Sequence, residues 1–398
     1  MSNSPAPGEF FFFTSPEGLY HCAASDADIL GFLDHCSAAG VTRLATGIDS
    51  TQDGPSARFG LMAREAQARG IKVVAYLGIG WGGDWRWRDT GHSSLGEPWP
   101  DPDLSSLARR RPDLFSRTRE GKIWLEYGWQ SNLGKMGILN LAAKDVRAFD
   151  TTRLVHVLTT YGLDGVQVVW VPSPRPPDNQ EPNRSHTVDW LLGEDGYWAY
   201  GYEPETISLF RERYGLDPRT LPTSDERWVE MRCEAVMDSI RELRVALNAT
   251  GHPCEFSVQG VSGIFGSPEA GRRVNFDWSK MLDEGLIDAI YPRYPANYPL
   301  LKLAFDRHTI ECMCEDIIRL QETVNGRAKL YVGLLLPTYA NMTREIVEPH
   351  DAAQAILRAI EAVVSTGMHR VGFYCGHRFQ TLGLWPYARE MSDVVLSM

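Results

Sequence analysis

The chain has no apolar run near the ~20 residues that a membrane helix needs, and no long basic run anywhere in its 398 residues. The first absence argues against a helical membrane span. The second, with 40 Lys and Arg against 51 Asp and Glu and a net charge of −11, argues against nucleic acid and against an anionic membrane surface as partners. The N-terminal stretch MSNSPAPGEF lacks a basic start before an apolar core, so no secretory signal is expected. Cysteine is sparse: seven residues, an odd number, mostly in apolar segments, which is the usage of a reduced, cytoplasmic protein. Cys312 and Cys314 stand without a second pair at zinc-site spacing and no HExxH occurs, so no metal and no other cofactor is predicted. No Gly-rich phosphate turn follows the first apolar run, which counts against a doubly wound nucleotide-binding sheet. Gly78, Gly80, Gly82 and Gly83 come later and do not open a helix.

What is present is globular: 43% hydrophobic and 23% charged residues, with 12 Trp, 15 Tyr and 15 Phe. Eight apolar, β-branched or aromatic runs read as strands, starting at residues 9, 42, 72, 164, 254, 288, 329 and 370. Between them lie segments of 3.6-residue periodicity. Ser25 to Ala39 opens on a capping residue, and Ser56 to Arg69, Val146 to Tyr161 and Ala352 to Thr366 each stop at a glycine. Asp225 to Asn248 is a longer helix. Strand then helix, eight times over, predicts an α/β chain folded as a single (β/α)8 TIM barrel over residues 1–398.

Most strand-to-strand steps take 30 to 41 residues, whereas the third and fourth take 92 and 90. The fourth strand, DGVQVVWV, runs straight into the proline-rich PSPRPPDNQEP, which cannot continue a sheet because proline has no N–H to donate. Long insertions of this kind in a compact domain are usually functional. Those at about 81–140 and 171–225 follow strands 3 and 4 on the face where barrels place their chemistry, and they predict a lid or side wall over the C-terminal mouth.

Reading the strand ends as mouth residues gives Asp49, Trp81, Trp170, Gln259, Tyr291, Arg293, Tyr294, Tyr339, Cys375 and His377, with Gln167 deeper. The insertions add WGGDWRWRD, with Asp84 and Trp85, then IWLEYGWQSN, with Glu126, and DGYWAYGYEPE, with Trp198, Tyr200, Tyr202 and Glu203. Aromatic rings stack on the C–H faces of sugars, while hydroxyls seek amides, carboxylates and arginine. The composition of the mouth therefore predicts a small carbohydrate or glycoside as partner. Each residue also has a plainer reading. Loop aromatics pack loops, Asp49 and Asp84 suit caps or turns, and His377 suits a packing position. Arg293, in YPRYP, needs an acidic partner or an anionic ligand.

Four stretches in order, ILNLAAKDVRAF, YGLDGVQV, YGYEPETISLFRERYGLDP and FDWSKMLDEGLIDAIYPRY, cover about residues 137–295 and carry a family likeness. Through them the chain resembles the bacterial family-10-like glycosyl hydrolases. The resemblance implies a barrel and a carbohydrate-related hydrolase ancestry. It also exposes a departure: relatives carry a carboxylate near the end of the fourth strand, where Val169 stands here, and the seventh-strand end LLLPTYANM has no acid either.

Glycoside hydrolysis uses two carboxyls, ~5–5.5 Å apart for retention and ~6.5–9.5 Å for inversion. With the strand-end pair absent, the acids are expected in the loops. Glu203 is the expected proton donor, because aromatic neighbours would raise its pKa. Asp84 or Asp49 is the expected charged partner. Trp81, Trp85, Glu126, Gln167, Trp170, Gln259, Tyr291, Arg293, Tyr294 and His377 are the expected sugar contacts. The competing readings are a carbohydrate-binding relative without activity, which Val169 favours, and a different barrel enzyme such as a lyase or isomerase.

Overall fold

A computed structural model describes residues 8–14, 25–47, 57–84, 107, 111–121, 136–169, 195–294, 307–336, 348–374, 376 and 378–397. Its centre is a closed parallel sheet. The barrel strands are β1 (Glu9–Thr14), β2 (Arg43–Gly47), β3 (Lys72–Gly78), β6 (Gly165–Val169), β7 (Glu255–Val261), β8 (Ala289–Tyr294), β9 with β10 (Lys329–Leu330 and Val332–Leu335) and β11 (Arg370–Tyr374). β9 and β10 are one barrel strand interrupted at Tyr331, so the barrel has the eight strands the sequence predicts, each starting within a residue of its expected position. β4 (Trp81–Asp84) and β5 (Met136–Ile138) form a separate antiparallel pair.

The register fixes the barrel's geometry. Following paired residues once round, from Phe11 through Arg43 and Lys72 and on across β6, β7, β8, β10 and β11, returns to β1 at position 3 rather than 11. That offset of eight residues is the shear of a (β/α)8 barrel. With this stagger, inward side chains form layers drawn from alternate strands. The lowest holds Glu9, Lys72, Glu255 and Lys329, and the next Arg43, Gly165, Ala289 and Arg370. Phe11, Val74, Ser257 and Tyr331 come above, followed by Ala45, Gln167, Tyr291 and Gly372.

The N-terminal end of this interior is closed by an ionic floor. Arg43 grips both carboxylate oxygens of Glu255, at 3.1 and 3.2 Å, and reaches Glu9 at 3.1 Å. Lys329 adds a contact to Glu255 at 2.9 Å, and the Tyr331 hydroxyl donates to Glu9 at 3.0 Å. A charge this deep is tolerated only because it is paired and hydrogen-bonded. Gly372 faces the same crowded zone. A Cβ there would lie 1.9 Å from the carbonyl oxygen of Phe11, so no larger residue fits.

Outward strand residues, such as Phe10, Phe12, Leu44, Val166, Val168, Phe256, Leu334 and Phe373, join the helices in one large apolar core. The helices begin and end as their residues dictate. Ser25 and Asp28 form a reciprocal capping box at the start of Asp26–Ala38. Gly162, at φ 58°, closes Lys144–Tyr161 in the left-handed conformation that glycine adopts without penalty. Among the described residues no helix is long and apolar enough to cross a membrane.

Candidate functional site

Above the Gln167 layer the interior changes character. The next inward layer is Phe13, Tyr76, Gln259 and Gly333, and the one above it Gly47, Val169, Arg293 and Tyr374. Phe13 meets Tyr76 edge-on at 4.4 Å and stacks on Tyr374 at 4.6 Å, which makes an aromatic wall on one side. Gly47 and Gly333 add no side chain to these two layers. At Gly333 an added Cβ would sit in ordinary contact, 3.6 Å from the Pro292 carbonyl oxygen.

On the other side, three adjacent strands place Gln167, Gln259 and Arg293 one layer apart, rising toward the C-terminal mouth. They are 0, 2 and 4% exposed. Among the described residues, both amide atoms of Gln167, Oε1 of Gln259, and Nε and Nη2 of Arg293 have no hydrogen-bond partner. Buried polar groups are nearly always paired, because each unpaired one forfeits its hydration. The Arg293 guanidinium lies over the Tyr374 ring at 4.6 Å, so its face is covered, while Nε and Nη2 on its edge have no hydrogen-bond partner among the described residues. From the Gln167 layer upward, no described inward position is acidic, and Val169 continues that inward face at the end of β6.

Two expected mouth residues lie elsewhere. Tyr291 points inward but low: its ring stacks on Tyr331 at 4.2 Å and its hydroxyl donates to Glu255 at 3.4 Å, so it belongs to the floor. Tyr294 follows Arg293 by one residue and therefore faces the opposite side of β8. It packs in the core that holds Met313, Ile317 and Leu320 of helix Arg307–Val324, and burial raises its phenol pKa. The strand-end reading placed it at the mouth; the alternation of the strand removes it.

Glu203 sits at the N-cap of helix Pro204–Tyr214 and is 3% exposed. Its Oε1 accepts from the Ser116 hydroxyl at 2.6 Å and from the Arg117 N–H at 2.9 Å, and its Oε2 accepts from Thr206 at 3.0 Å. Burial raises its pKa, against the pull of these hydrogen bonds. The direction matches the sequence reading, but the cause is enclosure between two chain segments rather than an aromatic mouth. Around it, Gly201 and Tyr202 donate to the Arg117 carbonyl, and Thr118 bridges Tyr200. The described parts of the segments that follow β3 and β6 are thus stitched together. Arg232, pushed down to about 10 by burial, donates to the carbonyls of Trp198, Tyr200 and Thr223 and fixes the same segment. Trp198, Tyr200 and Tyr202 are buried packing residues.

Trp81 and Asp84 lie on β4, paired in register with Ile138 and Met136 of β5. Asp49, Trp85, Glu126, Trp170 and His377 fall outside the described residues. Sequence reasoning missed Tyr76, Tyr374 and Phe13, the aromatic wall, because each was absorbed into a strand. It also missed Asp150. This carboxylate, on helix Lys144–Tyr161, accepts from the Gly80 N–H at 2.6 Å, where the chain turns into β4. Burial pushes its pKa up to about 6, with Arg153 at 3.8 Å and the Gly80 N–H opposing.

No protein-family profile matches the chain, and no curated protein matches it in sequence. Solved structures do match in fold. A β-galactosidase from the psychrophilic Marinomonas ef1 superposes with TM-score 0.53 at 12% identity, over 92% of this chain and 53% of that one. The chain thus spans about half the length of that protein. A maltogenic α-amylase from Thermotoga neapolitana gives TM-score 0.47 at 7% identity, over 98% and 77%. An α-galactosidase from Thermus thermophilus gives 0.46 at 11% identity, over 98% and 62%. At these identities the likeness is one of fold.

Proposed function

We propose that the chain is a carbohydrate-active barrel enzyme of the glycoside hydrolase type, and that its sugar sits in the upper barrel between the aromatic wall and the polar staircase. The observation that carries this reading is the set of buried, unpartnered groups on Gln167, Gln259 and Arg293. A protein keeps such groups where a ligand completes them. Amides opposite aromatic rings match the amphipathic surface of a sugar. The fold likeness to the β-galactosidase supports the reading, as does the resemblance to family-10-like hydrolases.

The carboxylates of the reaction are assigned to the loops that follow the strands: Asp49, two residues beyond Gly47 in the sequence, and Asp84, the last residue of β4. Glu203 is left out of the chemistry, since both its oxygens already hold the insertions together. The insertions serve in this reading as the side wall that shields the reacting bond from water. The test is turnover of a panel of nitrophenyl glycosides by Asp49→Asn and Asp84→Asn. A general acid or its charged partner contributes about 10²-fold or more, and full activity in both variants would reject the assignment. Val169 favours a second reading, a binding protein without turnover: measurable sugar affinity with no hydrolysis of any glycoside would establish it.

A further inference from the structure

Arg293 carries the step beyond this reading. A guanidinium has a face and an edge. The face of Arg293 is taken by the Tyr374 ring, at 4.6 Å from the guanidinium carbon. The two nitrogens without partners, Nε and Nη2, form a single edge, with two parallel N–H bonds directed the same way. That edge is the geometry a planar carboxylate meets with two hydrogen bonds at once. The group is 4% exposed, and no carboxylate pairs with it among the described residues. A buried cation without a counter-ion is costly, and other charged groups this deep in the barrel, Arg43 and Glu255, are paired.

The surroundings select among anions. No second cation stands at a described inward position from the Gln167 layer upward. One guanidinium balances one negative charge, so a carboxylate fits and a phosphate dianion would leave charge uncompensated. Below the arginine, the amides of Gln259 and Gln167 offer neutral donors and acceptors, as hydroxyls require. We infer that the upper barrel binds an acidic sugar, a uronic acid residue whose carboxylate takes the open edge of Arg293 while its hydroxyls descend to Gln259 and Gln167. The inference rests on the carbohydrate reading above and specifies its substrate class.

The experiment is calorimetric titration of the whole chain with a matched panel: glucuronate and galacturonate, their short oligosaccharides, the neutral parent sugars, glucose 6-phosphate, and benzoate as a carboxylate without a sugar. The uronates are expected to bind more tightly than the neutral sugars. Arg293→Met should remove that preference, a loss on the order of 10- to 100-fold from two charge-assisted hydrogen bonds. Arg293→Lys, which keeps charge but not the fork, should recover only part of it. Thermal melting supplies a readout that a merely structural arginine would fail. Without ligand, Arg293→Met should melt no lower than the parent, because it relieves an unpaired buried charge. Neutral sugars binding as well as uronates would overturn this inference and leave the carbohydrate reading standing. Benzoate binding as well as the uronates would overturn the carbohydrate reading and keep only an anion site. Tighter binding of glucose 6-phosphate than of any uronate would overturn the carboxylate assignment. A panel without binding would overturn both.

Discussion

The carboxylate of Glu203 and the hydroxyl of Ser116 lie 2.6 Å apart, although 87 residues of chain separate them. One belongs to the segment after β6 and the other to the segment after β3, so a single buried carboxyl fastens the two. Removing it leaves the Ser116 hydroxyl, the Arg117 N–H and the Thr206 hydroxyl without their acceptor. Glu203→Ala should therefore cost about 1–3 kcal/mol of stability, the usual penalty for stranded buried donors. Glu203→Gln keeps an acceptor and should keep turnover. Urea unfolding and a glycoside assay on the same samples decide the matter. If Glu203→Gln melts like the parent yet is inactive, the carboxyl is a proton donor after all.

Asp150 makes stability depend on pH in an unusual direction. Its carboxyl titrates near 6 when folded against an ordinary value of 3.8, with burial as the main cause. Between those values the folded chain holds a proton that the unfolded chain has released. Stability then falls as pH rises through the window and is flat above it. The raised Glu203 adds to the same trend. Asp150→Asn retains an oxygen for the Gly80 N–H and should flatten the profile between about pH 4 and 6, by an amount on the order of 1–3 kcal/mol. Unfolding free energies measured across that range test this. An unchanged slope would mean that Asp150 is not the group responsible.

The ionic floor should behave as a structural unit. Arg43→Met would leave Glu255 with Lys329 as its cation and Glu9 with the Tyr331 hydroxyl and Arg370, and breaking one member of a buried pair costs up to about 3–5 kcal/mol. In the parent, burial pushes Glu9 upward but Arg43 outweighs it and holds the carboxyl below its ordinary value. The variant should therefore unfold at much lower urea concentration, while whatever fraction folds binds ligand normally. A variant with parental stability would show that the floor is not a support.

Tyr294 separates packing from recognition. Since it faces the helices, Tyr294→Ala should lose about 3–5 kcal/mol, as large buried aromatics do, with sugar affinity of the folded protein unchanged. An intact fold with weakened binding would return the residue to the mouth.

The barrel was legible because its signal repeats. Eight apolar runs alternate with helices, most of them at steps of 30 to 41 residues, and a capping serine or a closing glycine marks helix ends, as at Ser25 and Gly162. The facing of side chains was not. Every residue of AIYPRY in β8 is buried, since barrel strands are covered on both faces and show no polar alternation. Position along the strand could be read, but not the side, and so Tyr291, Arg293 and Tyr294 looked equivalent. Glu203 carried a clue that went unused. Proline at the first helical position makes the residue before it an N-cap. Its partner Ser116 lies in a different insertion, and no local pattern announces a contact between segments so distant in sequence.

The division of the barrel into a paired floor and an unpaired wall bears on how the protein can change. The side-chain atoms Nε2 and Oε1 of Gln167, Oε1 of Gln259, and Nε and Nη2 of Arg293 have no hydrogen-bond partner among the described residues, so the fold depends less on their identity than on that of Arg43 or Gly372. Selection acting on ligand preference can exchange them with little penalty in stability, and a mutational library confined to these three positions would be populated mostly by folded members. New specificity is cheap in this barrel at one end only, and the other end carries the robustness that allows it.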